Sequence, residues 1–210
     1  MICINVTAPA AGTMPVRKKG MSQMAVLIDS LREDHRNFAK LLDVLEREIE
    51  RAAVAGNPDW NVLHGIVSYF CDYPDRCHHP KEDAVFSRLQ ARNPDSASAI
   101  GDLLGEHQAV RLRAQRFRDH IQSIFLEDVL PRERLVGSAR AFMDAERRHM
   151  MKEEEMFFPL AEKLLSEEDW QAIDSQLGSE LDPLLRASVE QEYQAVRDAL
   201  YARELERKAG

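Results

Sequence analysis

The sequence predicts an all-α protein: an antiparallel up-down-up-down four-helix bundle with extra C-terminal helices. Three observations lead there. Four long runs repeat apolar residues every three to four positions, short Pro-, Gly- or Asn-containing breaks separate them, and no stretch alternates with the period of two that a strand needs. The chain has 210 residues, 44% of them hydrophobic and 30% charged, which is a globular composition of about one domain with appendages.

Residues 1–22 (MICINVTAPAAGTMPVRKKGMS) carry Pro, Gly and a small basic cluster behind a short apolar run, the reverse of a signal peptide's charge order, and are expected to be a disordered leader. The bundle is expected over 23–165. Its first run places Ile28, Leu31, His35, Phe38, Leu42, Leu45, Ile49 and Ala52 on one stripe and ends at Gly56-Asn57-Pro58, with Asp59 or Asn61 as the next cap. The second carries Leu63, Val67, Phe70, Cys71, His78, Glu82, Val85 and Leu89, is interrupted by Pro74 and Pro80, and breaks at Asn93-Pro94-Asp95. The third runs Ile100, Leu103, His107, Val110, Ala114, Phe117, Ile121, Ile124 and stops before Pro131. The fourth runs Leu135, Ala139, Phe142, His149, Glu153, Met156, Leu160, Leu164. A C-terminal helical extension is expected over 166–210. Ser166-Glu167-Glu168-Asp169 reads as a fresh N-cap, Trp170 to Leu177 as a short fifth helix, and 184–207 as a charged sixth with Val189, Tyr193, Val196 and Leu200 on one side. That side is expected either to dock on the bundle or to pair with a second copy in a homodimer.

No run approaches the roughly 18–20 apolar residues needed to cross a bilayer, so no membrane partner is expected. The formal charge of −8, from 28 Lys+Arg against 36 Asp+Glu, argues against a nucleic-acid surface. Cys3, Cys71 and Cys77 make no disulfide framework, so the expected home is the cytoplasm.

Each of the four runs carries one histidine on its apolar stripe: His35, His78, His107 and His149. Burying four imidazoles without partners would cost about 2 kcal/mol or more apiece. Glu82 lies four residues after His78 and Glu153 four after His149, a spacing that places each pair on one helix face. A charged glutamate at a core position needs a cation beside it. Nitrogen and oxygen donors converging from facing helices are how bundles hold metal pairs. His79 competes with His78, since Pro80 disturbs the helix phase there; His78 is preferred because His78–Glu82 repeats the His149–Glu153 spacing. His64 and His120 read as surface or packing histidines, and Cys71 and Cys77 as small core residues.

The constellation resembles the hemerythrin family, in its bacterial His-His-Glu (HHE) cation-binding branch. The elements that carry the resemblance are LREDHRNF around His35, HHPKEDAVF around His78, GEHQAV around His107 and RHMMKEEEMFFPL around His149, and it spans about Met24 to Leu185. It implies a bridged di-iron centre, with His35 and His78 on one iron and His107 and His149 on the other. Glu82 and Glu153 would bridge the two beside a solvent oxygen, with Glu154 the reserve for the second bridge. The oxygen carriers of the family have a further histidine four residues along the third helix; here Leu103 and Arg111 stand four away from His107. The resemblance therefore implies an exchangeable position or an added ligand, with Glu106 and Glu146 as candidates and Tyr69 and Tyr73 as outer partners. Glu146 is expected at the surface, Glu106 facing solvent or bonding another ligand, and Asp83 and Glu155 solvated.

Iron is the metal the resemblance implies, with manganese or zinc as substitutes. The expected ligands are small: O2 or NO captured or sensed, or peroxide. The competing expectations are a di-iron redox enzyme acting on peroxide or nitric oxide, and iron storage with ferroxidase activity. No catalytic residue and no organic cofactor site is assigned.

Overall fold

A computed structural model describes residues 23–54, 56–126, 131–180, 191, 193–202 and 205. The leader over 1–22 and residues 181–190 of the C-terminal extension, Val189 among them, lie outside the described residues. All regular structure among those described is helical: α1 (Gln23–Ala53), α2 (Trp60–Tyr73), a π-helical turn (Pro74–His78), α3 (His79–Arg92), α4 (Pro94–Ile100), α5 (Leu103–Phe125), α6 (Arg132–Lys152), a second π-helical turn (Glu153–Phe157), α7 (Phe158–Leu164) and α8 (Glu167–Glu180). No helix among these residues is long and apolar enough to cross a membrane.

Local chemistry fixes the helix ends. Asp59 caps α2, accepting from the backbone N–H of Asn61 (3.0 Å) and Val62 (3.1 Å), while its own N–H donates to the buried Glu48 of α1 (2.7 Å). Asn93 caps α4 with Pro94 at the first helical position. The Asn-Pro-Asp break in the second run is thus a short helix of its own, and Ile100 belongs to it rather than to α5. Gly101, at φ +86°, makes the turn into α5, where Asp102 caps Gly105 N–H at 2.9 Å. Ser166 and Asp169 form a reciprocal cap at the start of α8: Ser166 N–H donates to Asp169 Oδ2 (2.9 Å) and Asp169 N–H to Ser166 Oγ (3.4 Å). Arg88 and Arg92 of α3 also reach the buried Asp169, joining α8 to α3.

The two π turns absorb the prolines. Each ends one residue before a helix with Pro at its second position, Pro80 in α3 and Pro159 in α7. The N–H of His79 bonds to the carbonyl of Pro74, and that of Phe158 to the carbonyl of Glu153, one residue further back than in an α-helix. The wider turn shifts the phase of the helix beyond it. Met156, expected on the apolar stripe, is 45% exposed, whereas Phe157 and Phe158 are fully buried.

The apolar core falls into two clusters. One is built on Phe38, Leu42, Leu45, Leu63, Val67, Phe70, Phe117 and Phe142; the other on Ile28, Leu31, Val85, Leu89, Leu103, Phe157, Phe158 and Trp170. Along α1, the chain passes from the second cluster (Leu31) through His35 to the first (Phe38); α5 does the same from Leu103 through His107 to Val110. The α2–α3 and α6–α7 stretches cross in the opposite sense, through His78–Glu82 and through His149–Glu153. A layer of buried polar side chains therefore lies between two dry clusters. α5 packs on α6 and α2, and α1 on α6.

The described part of the sixth helix docks on this core. Tyr193 meets Tyr69 and Tyr73 edge-on, Leu200 is buried, and Tyr201 Oη donates to the Asn37 carbonyl at 2.9 Å. Leu200 lies so close that a Cβ on Gly65 would meet it at 2.8 Å. Val196, expected on the docking side, is 41% exposed.

Candidate metal centre

The polar layer holds His35, His78, His79, Glu82, His107, Glu146, His149 and Glu153, all buried, with Glu82 and Glu153 fully so. Donor atoms cluster in two groups that share Glu82. His35, His78, Glu82 and Glu153 form one, and His79, Glu82, His107 and His149 the other, the donors of each group lying within 4.8 Å of one another. The six residues expected from helix spacing are thus together, and His79 stands with them. His78 and His79 both reach the layer because the π turn ends between them.

The two carboxylates lie between the groups. Glu82 Oε1 is 3.2 Å from His78 Nε2 and 3.7 Å from His35 Nε2, while its Oε2 is 3.4 Å from His107 Nε2. Glu153 Oε2 is 3.3 Å from His35 Nε2, and its Oε1 is 3.4 Å from His107 Nε2 and 3.1 Å from His149 Nε2. Each carboxylate turns one oxygen to each histidine group. Both Glu82 oxygens, Glu153 Oε2 and His149 Nε2 are buried without a hydrogen-bond partner of good geometry. Orphaned donors of this kind, nitrogen and oxygen together, fit a bound cation.

Outside the layer, a carboxylate faces the Nδ1 of each imidazole. Asp34 Oδ2 is 3.2 Å from His78, Glu154 Oε1 2.9 Å from His35, Asp83 Oδ1 3.0 Å from His107, Glu106 Oε2 3.4 Å from His149, and Asp75 Oδ1 3.1 Å from His79. Four of these acids sit one residue from a donor on their own helix and reach a histidine on another. The links form a closed ring: Asp34 of α1 to His78, Asp83 of α3 to His107, Glu106 of α5 to His149, and Glu154 of the second π turn back to His35. Tyr73 Oη donates to Asp34 at 2.8 Å, the outer role expected for a tyrosine here. Glu106, expected to face solvent or bond another ligand, stands beside His149 and also accepts from the Lys152 ammonium.

Three expectations are corrected. Glu146 is not at the surface but 2% exposed, because its position three residues before His149 faces the layer. Asp83 is only partly solvated: its side chain is 41% exposed, and its Oδ1 stands 3.0 Å from His107 Nδ1. Glu154, the reserve for a bridge, points away from the centre to His35 and Arg32. Glu155 is exposed as expected. His64 packs edge-on against Phe125 and His120 bonds the Ser138 hydroxyl, so both are packing histidines. Cys71 and Cys77 are buried in the core, where burial raises the Cys71 thiol to about 11.

Burial opposes charge on His35 and His107, but the carboxylates win. Glu153, Glu154 and Glu82 push His35 up to about 12, and Asp83, Glu153 and Glu82 do the same to His107. Burial likewise works against ionised Glu82 and Glu153, yet the surrounding imidazoles hold both below the usual carboxylate range. Burial lowers His79 instead, with Asp75 opposing. Glu146, buried and beside the charge of Glu153, is raised to about 7. The layer thus holds its negative charge against protonated imidazoles, which a cation could displace.

A buried layer of histidines sharing two carboxylates, on a chain whose described regular structure is all helical, fits a cation site of the imidazole–carboxylate class. A profile of the hemerythrin HHE cation-binding domain matches residues 26–161. The chain belongs to that family. No curated protein matches it.

Proposed function

We propose that the protein holds two iron ions in this layer and captures or senses O2 or NO there. The observation that carries the reading is the carboxylate pair: Glu82 and Glu153 each offer one oxygen to each histidine group, and three of those four oxygens are buried without a hydrogen-bond partner. His35 and His78 would serve one ion, His107 and His149 the other, with Glu82 and Glu153 bridging. Bound iron would supply an electron-rich position able to take a diatomic ligand; manganese or zinc would fill the same donors, and zinc, having no redox change, would not supply that chemistry. The protein's own part is to orient five imidazoles through their outer carboxylates, to keep the donors deprotonated once a cation is present, and to exclude water with an apolar cluster on either side.

The domain reading accompanies this one: an antiparallel up-down-up-down bundle over 23–165, supported by the alternating sense in which the helices cross the polar layer, and an extension over 166–210. A cytoplasmic setting suits the buried thiols. A second reading, a redox enzyme acting on peroxide or nitric oxide, is favoured by Glu146. A buried carboxyl near pH 7 beside the donors can give and take a proton.

The His78→Ala/Glu82→Ala double variant tests the centre. It is expected to lose stoichiometric iron while remaining helical by circular dichroism; retention of about two irons per chain would overturn the assignment. Optical spectra of the reduced protein with oxygen and nitric oxide separate the readings. A reversible band supports capture, and oxidation with turnover of added peroxide supports the enzyme.

A further inference from the structure

We propose that His79 is a metal ligand, the third imidazole of the group made with His107 and His149, so that the two halves of the centre carry unequal histidine sets. This rests on the metal-centre reading above and deepens it. The donors of His79 lie with those of Glu82, His107 and His149, in the group that excludes His78. Its ring is 6% exposed and stacks on that of His107, with centroids 4.0 Å apart and 9° between the planes, so sharing one ion through the in-plane lone pairs requires one of the two rings to turn on binding.

The stronger argument is the pattern of its two nitrogens. Every other histidine of the layer turns Nδ1 to a carboxylate and Nε2 inward. His79 does likewise, with Nδ1 3.1 Å from Asp75 Oδ1, which leaves Nε2 as its donor. A carboxylate on the far nitrogen is what orients a metal-bound imidazole and raises its basicity. His64 and His120 break the pattern, one packing on Phe125 and the other bonding a hydroxyl. Asp75 is itself held from its other oxygen by Arg111 Nη1 at 3.2 Å. On α5, Arg111 thus stands four residues after His107 and supports the acid behind His79 rather than offering a donor of its own. The π turn supplies the reason two adjacent residues serve different groups: its extra residue per turn brings His78 and His79 to the layer from one stretch of backbone. His79, His107, Pro80, Asp83, Asp75 and Arg111 also border a cleft of about 440 Å³ that opens on this side.

The test is anaerobic titration of the full chain with cobalt(II), whose visible bands report coordination at each equivalent. The wild type is expected to take two equivalents. His79→Ala should bind one as the wild type does and the other more than about 100-fold more weakly, beyond the 10–100-fold typical of losing an outer partner. Its spectral change should be confined to that equivalent, and free imidazole, entering by the cleft, should restore it. His78→Ala should weaken the opposite equivalent, a crossed pattern that a packing role for His79 would not produce. Asp75→Asn, which leaves the ring in place, should cost about tenfold at the same equivalent as His79→Ala; it decides the matter if His79→Ala does not fold. A folded His79→Ala with two wild-type affinities and an unchanged spectrum would overturn this inference and leave the centre standing. A wild type that does not take two equivalents would overturn both.

Discussion

Replacing Asp34 by asparagine changes one oxygen to an amide nitrogen and should uncouple His78 from the centre. In the native protein the buried carboxylate accepts twice, from Tyr73 Oη at 2.8 Å and from His78 Nδ1 at 3.2 Å. The second contact fixes the tautomer, because a proton on Nδ1 leaves the Nε2 lone pair facing Glu82 and His35. Asparagine has one acceptor oxygen and cannot serve both donors. If the oxygen stays with Tyr73, its NH2 faces Nδ1 and moves the imidazole proton to Nε2, where it blocks ligation. A hydrogen bond to a charged group contributes about 1.5–3 kcal/mol, which matches the 10–100-fold loss of metal affinity expected for an outer partner. The assay is competition against a chromophoric chelator under anaerobic conditions, with urea melts of the metal-free protein as the stability control. Wild-type affinity in Asp34→Asn would refute the claim that Asp34 orients His78.

Two further expectations concern pH and helix phase. In the metal-free protein His35 and His107 are raised from 6.5 to about 12, so their stabilising contribution is complete below pH 6.5 and is lost as pH climbs toward 12. Glu82 and Glu153 are lowered from 4.5, and theirs is complete above pH 4.5 and lost as pH falls below it. The metal-free melting temperature should therefore peak between about pH 4.5 and 6.5 and decline toward pH 10, while metal affinity rises over the same range as protons cease to compete; a flat metal-free profile from pH 6 to 10 would contradict the ion-pair picture. Phe157→Ala should cost about 3–5 kcal/mol by urea denaturation and Met156→Ala within about 0.5 kcal/mol; the opposite order would remove the π turn from the account.

Much of the centre is legible in the sequence because its signals are local. His78–Glu82 and His149–Glu153 are i, i+4 pairs, and His35 and His107 fall on stripes whose period survives from end to end of α1 and α5. The rest depends on contacts between helices. Asp34, Asp83, Glu106 and Glu154 each look like the solvated neighbour of a donor, and only the packing shows that each serves a histidine on another helix. An acid directly adjacent to a donor on all four runs is nevertheless a visible regularity. Met156 is misplaced by sequence reasoning, and His79 ranked behind His78, for one shared reason. A 3.6-residue period does not carry through Pro80 and Pro159, where the backbone widens and the phase advances. Glu146 reads as a surface residue because a lone carboxylate is costly to bury; burial and the charge of Glu153 raise it to about 7, so that protonation eases the cost.

The ring of outer carboxylates bears on the order of events when the protein is made. Because each helix lends its acid to the next and borrows one in return, no pair of helices owns a complete, oriented set of donors. A hairpin emerging early in synthesis would display histidines and glutamates with wrong tautomers and free rotamers. Firm capture of a cation must wait until the last helix closes the circuit. Loading would then act as a proofreading step: a chain that has not assembled cannot trap metal, and one that has trapped it is slow to come apart.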